Sequence, residues 1–301
     1  MTARNPELVA DTGGAGSPNE SHARFDGVDP VQLVGDTLLL LAVPLAMVAV
    51  FTLPTEVKRA YAFSYTEPTV LTAFTAHYVH LTPEHLAGNV LGFLLLASIA
   101  YGLSLMVGRR RLFFVSVATF LFAFPFVLSG LNLAVPRNAI GYGFSGINMA
   151  LFGYVAVALV TVLGDRFGVN ARGYLPAVFL ASVAYLAAHA LPVSVASIGF
   201  VLAALVAASL YARSAERDSL LPLRQTIAQA IDTPVYGELL TGATIVLLGY
   251  PFVGFPAPTP GGPRINIYIH FLGYALAYIV VYVSLLVDRS ERLWKPITVP
   301  R

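Results

Sequence analysis

Residues 173–212 read GYLPAVFLASVAYLAAHALPVSVASIGFVLAALVAASLYA, forty positions without one fixed charge. As a helix this stretch would run about 60 Å, twice the thickness of a bilayer's hydrocarbon layer. Leu191-Pro192 offers the natural break, because the residue before a proline is driven out of helical geometry. The stretch therefore reads as two membrane spans joined by a tight turn. Working outward, Thr37–Leu53, His85–Val107, Leu112–Val135, Asn138–Leu163, Leu239–Phe255 and Ile265–Val287 are further apolar runs long enough to cross. Eight spans are expected in all, with Leu239–Phe255 the weakest. Such runs lack the polar face that a surface helix of a soluble protein must carry.

Bulk composition agrees. Of 301 residues 57% are hydrophobic and only 11% charged, where soluble domains carry about 25% charged residues. The mean hydropathy is +0.74. There is no cysteine, which excludes disulfides, a thiolate nucleophile and Cys-ligated metal. A net charge of +2 gives no footprint for nucleic acid. The expected organisation is a polar, disordered cytoplasmic tail over 1–36, a transmembrane domain over 37–287 and a short cytoplasmic tail over 288–301. With eight spans and the N-terminus inside, 14 of the 18 Lys and Arg fall on the inner side, Gly108-Arg109-Arg110-Arg111 most sharply. The excess of basic residues in cytoplasmic loops supports that orientation.

Polar groups in hydrocarbon are costly and mark either function or helix packing. Three clusters qualify. In His77-Tyr78-Val79-His80-Leu81-Thr82-Pro83-Glu84-His85-Leu86-Ala87-Gly88-Asn89, Thr82 suits an N-cap and Pro83 the first helical position. His85 and Asn89, four apart, then share a face, while His80 stays in the preceding loop. These groups could merely cross-link helices, and the spacing of His77, His80 and His85 matches no strong zinc motif. In Gly141-Tyr142-Gly143-Phe144-Ser145-Gly146-Ile147-Asn148, a serine flanked by glycines stands at a helix entry. Free backbone N–H groups there favour a developing negative charge, although small-residue packing explains the glycines equally well. In Ile269-His270-Phe271-Leu272-Gly273-Tyr274-Ala275-Leu276-Ala277, His270, Gly273 and Ala277 line one face, so an imidazole lies beside a groove that admits a close helix. Ser145, His85 and His270 all lie near the outer ends of their spans. His189, in Ala187-Ala188-His189-Ala190, is at similar depth and is a rival base.

Together these residues resemble the rhomboid family of intramembrane serine proteases: His80-x4-His85-x3-Asn89, then Gly143-Phe144-Ser145-Gly146, then His270-Phe271-Leu272-Gly273, across roughly Thr69 to Val287. The resemblance implies an all-α, polytopic transmembrane helical bundle with a six-helix core, here with about two extra spans. It implies Ser145 as nucleophile, His270 as general base, and His85 and Asn89 as oxyanion donors. It implies framework roles for His80, Gly143, Gly146 and Gly273. No metal or organic cofactor is implied, and the partners would be transmembrane protein substrates and the bilayer itself. Met149 stands where the family often has a tyrosine against the histidine, and no carboxylate accompanies the pair. A catalytically inactive rhomboid-like chaperone and, more distantly, a transporter are the competing readings.

Overall fold

A computed structural model describes residues 29–219, 222–255 and 266–294. In chain order its elements are α1 (Pro30–Phe51), α2 (Thr55–Ala60), β1 (Phe63–Ser64), α3 (Val70–Thr75) and a 3₁₀ turn (Ala76–Tyr78). There follow α4 (Pro83–Met106), α5 (Arg110–Phe122), α6 (Phe124–Asn132), β2 (Ile140–Gly141) and α7 (Ser145–Phe167). The last five are α8 (Ala171–Ala190), α9 (Val195–Arg217), α10 (Leu223–Ile231), α11 (Tyr236–Gly254) and α12 (Ile267–Trp294). Seven of these helices are long and apolar enough to cross a membrane, and the bent pair α5–α6 makes an eighth if it counts as one span. The protein is an all-α, polytopic transmembrane bundle.

Local signals set most of the helix ends. Thr82 accepts from the His85 N–H at 3.3 Å and Pro83 occupies the first turn of α4, as the sequence predicts. Ser194 and Ser197 cap α9 reciprocally just after the Leu191-Pro192 break. Gly168, left-handed at φ 75°, closes α7.

Four boundaries depart from expectation. The span expected over Asn138–Leu163 becomes helical only at Ser145, because the chain pairs as a strand at Ile140–Gly141 and turns at Gly143, φ 108°. α1 starts at Pro30, seven residues before the expected Thr37, because Asp29 caps the Val31 N–H at 3.0 Å. Its extra turns carry Asp36, whose charge hid them from an apolar scan. Asp36 is buried between Tyr101 Oη, at 2.5 Å, and the Arg110 guanidinium, which donates to both of its oxygens. The expected tail over 1–36 therefore loses its last seven residues to α1, and 1–28 lie outside the described residues. Likewise α12 runs on to Trp294, into the expected 288–301 tail, of which 295–301 lie outside the described residues. Finally, the span expected over Leu112–Val135 is broken, with α5 and α6 meeting at 46°. Pro125 is the cause: it has no N–H for the Leu121 carbonyl, and the Tyr78 hydroxyl donates to that carbonyl instead, at 2.9 Å.

α7 is the axis of the molecule. Of its most apolar window 83% is buried inside the protein, against 11% for α9 at the rim. α4 and α12 flank α7, α8 and α9 pair with each other, and α11 leans on α7 and α4. Where α12 crosses α7, backbone meets backbone. A Cβ on Gly153 would lie 2.5 Å from the Tyr274 carbonyl oxygen, and one on Gly273 would strike the Gly146 carbonyl. At the end of the bundle where α4 and α7 finish, Arg109 pairs with Asp165 at 2.9 Å and Arg166 donates to the Met106 carbonyl.

Candidate active site

The site lies where α4, α7 and α12 begin. β1 and β2 pair antiparallel, Phe63 opposite Gly141, and Gly143 N–H donates to Ala76 O at 2.9 Å. The chain is thus pinned just before it turns into α7. Gly143 makes that turn at φ 108°, a conformation closed to other residues, and a Cβ there would sit 2.7 Å from His85 Nε2. The close approach brings the His85 ring over the entry to α7. That ring makes no hydrogen bond among the described residues; it is flanked by the rings of His80 and Tyr142.

Ser145 is the first residue of α7, and no side chain caps this helix. Its leading N–H groups have no intrahelical acceptor. Ser145 Oγ lies 2.7 Å from His270 Nε2, on α12, across 125 residues of chain. The opposite ring nitrogen, Nδ1, lies 2.5 Å from the carbonyl oxygen of Gly254, the last residue of α11. The Phe255 ring meets the His270 ring edge-on at 5.9 Å. His270 and Ala277 are buried and Gly273 abuts Gly146, so the face expected on this helix is the one turned to α7. Asn266 caps the same helix, its Oδ1 accepting from Ile269 N at 3.2 Å and its amide donating to Asn132 Oδ1. The loop end of α6 therefore anchors the helix that carries His270.

The remaining predicted residues divide into two groups. His80 is fully buried, its Nδ1 donating to Tyr78 O at 3.2 Å and its Nε2 accepting from Asn89 Nδ2 at 3.0 Å. Burial, reinforced by the neighbouring His85, lowers its pKa to about 4, so it stays neutral. Asn89 was expected to offer free N–H groups. Instead its amide nitrogen faces both His80 Nε2 and the His85 carbonyl, at 3.0 and 3.1 Å, which occupies both of its hydrogens. Its own oxygens face Asn148 Nδ2, which ties α7 to α4. His77 turns away to Pro125 O and Ser129 Oγ at 3.2 and 3.1 Å, with its pKa lowered to about 4 by burial. Among the described residues no group of three or more His, Cys, Asp or Glu could hold a metal. His189 packs on the Phe252 ring at 4.7 Å and makes no hydrogen bond to Ser145.

No family model, curated protein or solved structure matches the chain.

The arrangement is read from its chemistry. An alcohol bonded to a buried imidazole, whose far nitrogen faces an acceptor, is the geometry of an activated nucleophile. The uncapped start of α7 and the His85 ring offer donors for a negative charge forming beside Ser145. Two participants escaped the sequence reading. The Gly254 carbonyl is a backbone group with no signature in residue type. Phe255 flanks the ring edge-on, and the Met149 thioether lies against Gly254, where a Cβ would come within 2.6 Å of its Cε.

Proposed function

We propose that the protein is an intramembrane serine endopeptidase of the rhomboid type, hydrolysing a peptide bond in or near the membrane-spanning segment of other membrane proteins. The observation that carries this reading is the 2.7 Å approach of Ser145 Oγ to His270 Nε2 between two membrane helices. In the first step Ser145 Oγ attacks the scissile carbonyl carbon and His270 Nε2 takes the hydroxyl proton. The carbonyl oxygen gains the charge and is met by the Ser145 N–H and by the His85 ring. Collapse of the adduct breaks the C–N bond, and His270 passes its proton to the leaving amine. A water molecule then repeats the sequence on the ester, its proton going to His270 and returning to Ser145 Oγ.

The role of Asn89 is adjusted by its hydrogen bonds: it holds His80 and the start of α4, and joins the oxyanion donors only by giving up its bond to His80 or to the His85 carbonyl. A peptide bond inside a helix has its carbonyl engaged by the N–H four residues on. Substrates are therefore expected to unwind locally before Ser145 can reach them. The charge distribution supports cytoplasmic termini with the site near the outer face. Replacing Ser145 with Ala tests the reading, using a reporter with one transmembrane segment in proteoliposomes. Cleavage is expected to vanish while the protein keeps its melting temperature. Cleavage at the unmodified rate by the Ser145→Ala protein sinks the assignment.

A further inference from the structure

α11 leans on α4 and α7, and its end touches the base. A helix leaves its last carbonyls without intrahelical donors. In α11 the Phe255 N–H satisfies Pro251 O at 2.8 Å. The carbonyl of Gly254 is turned to His270 Nδ1 at 2.5 Å. A carbonyl oxygen can only accept, so the proton of a neutral His270 must sit on Nδ1. Nε2 is then bare, with its lone pair toward Ser145 Oγ at 2.7 Å. In the other tautomer Nε2 would carry hydrogen and could not take one from the serine. The end of a helix also bears partial negative charge, which favours the imidazolium formed in the first step. Phe255, fully buried, closes the same side of the ring.

We infer that the Gly254 carbonyl is the positioning group that fixes the tautomer of His270, which makes the end of α11 a working part of the site. This rests on reading Ser145 and His270 as nucleophile and base. It gives the base the backing that a carboxylate supplies in a Ser–His–Asp site, from a backbone oxygen instead. Side-chain size at 254 does not set the carbonyl: a Cβ there would meet Met149 Cε at 2.6 Å, the end of a flexible side chain that can swing aside.

The full-length protein in nanodiscs, ¹⁵N-labelled on histidine, tests it by NMR, the His270 signals being identified by their loss in His270→Gln. The wild type is expected to show Nδ1 protonated and Nε2 bare. Phe255→Pro removes the N–H that Pro251 O accepts and drives residue 254 out of helical geometry, which turns its carbonyl away from the ring. His270 should then populate the Nε2–H tautomer, and kcat on a transmembrane reporter should fall on the order of 10- to 100-fold with KM within about twofold. Phe255→Ala keeps that N–H and should keep the Nδ1–H tautomer. A wild-type His270 protonated on Nε2 overturns the inference. So does a folded Phe255→Pro protein whose tautomer and kcat are both unaltered. The tautomer is read without turnover: a wild type with Nδ1–H but no cleavage of any reporter overturns the protease reading and leaves the Gly254 placement standing.

Discussion

Replacing Gly153 with alanine should slow the proposed peptide cleavage without touching a reacting atom. Gly153 lies two turns below Ser145, against the backbone of α12. A Cβ there would come within 2.5 Å of the Tyr274 carbonyl oxygen and 3.1 Å of the Tyr278 nitrogen, whereas ordinary contact begins near 3.4 Å. α12 must therefore recede by up to about 0.9 Å, a displacement that close-packed interiors resist. It cannot do so by bending a side chain, because the obstacles are backbone. It is also held from behind: Tyr274 bonds Ser182 and Tyr278 donates to Leu175 O at 2.7 Å, both on α8. Tyr274 is one turn from His270, so part of the shift reaches the imidazole. Adding even 0.6 Å to the 2.7 Å between Ser145 Oγ and His270 Nε2 takes the pair outside hydrogen-bond range for an oxygen donor. A misplacement approaching 1 Å costs on the order of 10²-fold in rate, so a 10- to 100-fold loss is expected, about 1.4–2.7 kcal/mol of barrier. Overpacking should lower stability by roughly 1–3 kcal/mol. The assay is reporter cleavage in proteoliposomes with kcat and KM separated, alongside thermal unfolding and fluorophosphonate labelling of Ser145. Gly242→Ala on α11 is the control, since nothing lies within 4 Å of a Cβ there. Undiminished kcat in Gly153→Ala, or an equal loss in Gly242→Ala, would refute the idea that backbone crossing sets the reacting distance.

Three further outcomes are expected. His270→Ala should be inactive and His189→Ala active, because only His270 reaches Ser145; cleavage by the first variant and not the second would move the base to His189. His85→Ala should cut turnover by about 10- to 1000-fold, the range of one lost oxyanion donor. Asn89→Ala should instead show a lowered melting temperature beside any loss of rate, since Asn89 holds His80; a rate loss with no change in melting would return Asn89 to the oxyanion role. The last concerns pH. His77 and His80 are held at a pKa of about 4 when folded, against an ordinary value of 6.5. Between those values the unfolded chain binds the extra protons, so stability is full above pH 6.5 and falls as pH drops toward 4. The slope is about 1.4 kcal/mol per pH unit for each histidine. Unfolding free energy measured in detergent from pH 7.5 to 4.5 checks this, and a flat profile contradicts it.

The parts of this architecture written in the sequence are those governed by local rules. Thr82-Pro83 announces the start of α4, Leu191-Pro192 the break before α9, and the charge-free runs the spans themselves. Ser145 and His270 each sit in a string of small residues that admits a close helix, and the resemblance to rhomboid proteases is what pairs them. The rest depends on partners distant in the chain. Pro125 alone does not say whether a span bends; the Tyr78 hydroxyl, 43 residues earlier, receives the carbonyl that the bend frees. Asp36 looks like the end of a tail until Tyr101 and Arg110 are brought round it. The amide of Asn89 looks free until His80 folds back onto it. The Gly254 oxygen could not be found from residue types at all, since every residue carries one.

One consequence concerns the order in which the protein is made. His270 and the carbonyl that backs it are 16 residues apart, whereas Ser145 precedes its base by 125. A ribosome therefore delivers the serine to the bilayer four candidate spans before the imidazole. During that interval Ser145 is an unassisted alcohol beside nascent neighbours that are themselves exposed membrane segments. α11 and α12 then bring the acceptor and the base in close succession. On this reading the Ser145 alcohol gains its base only when α12 enters the membrane.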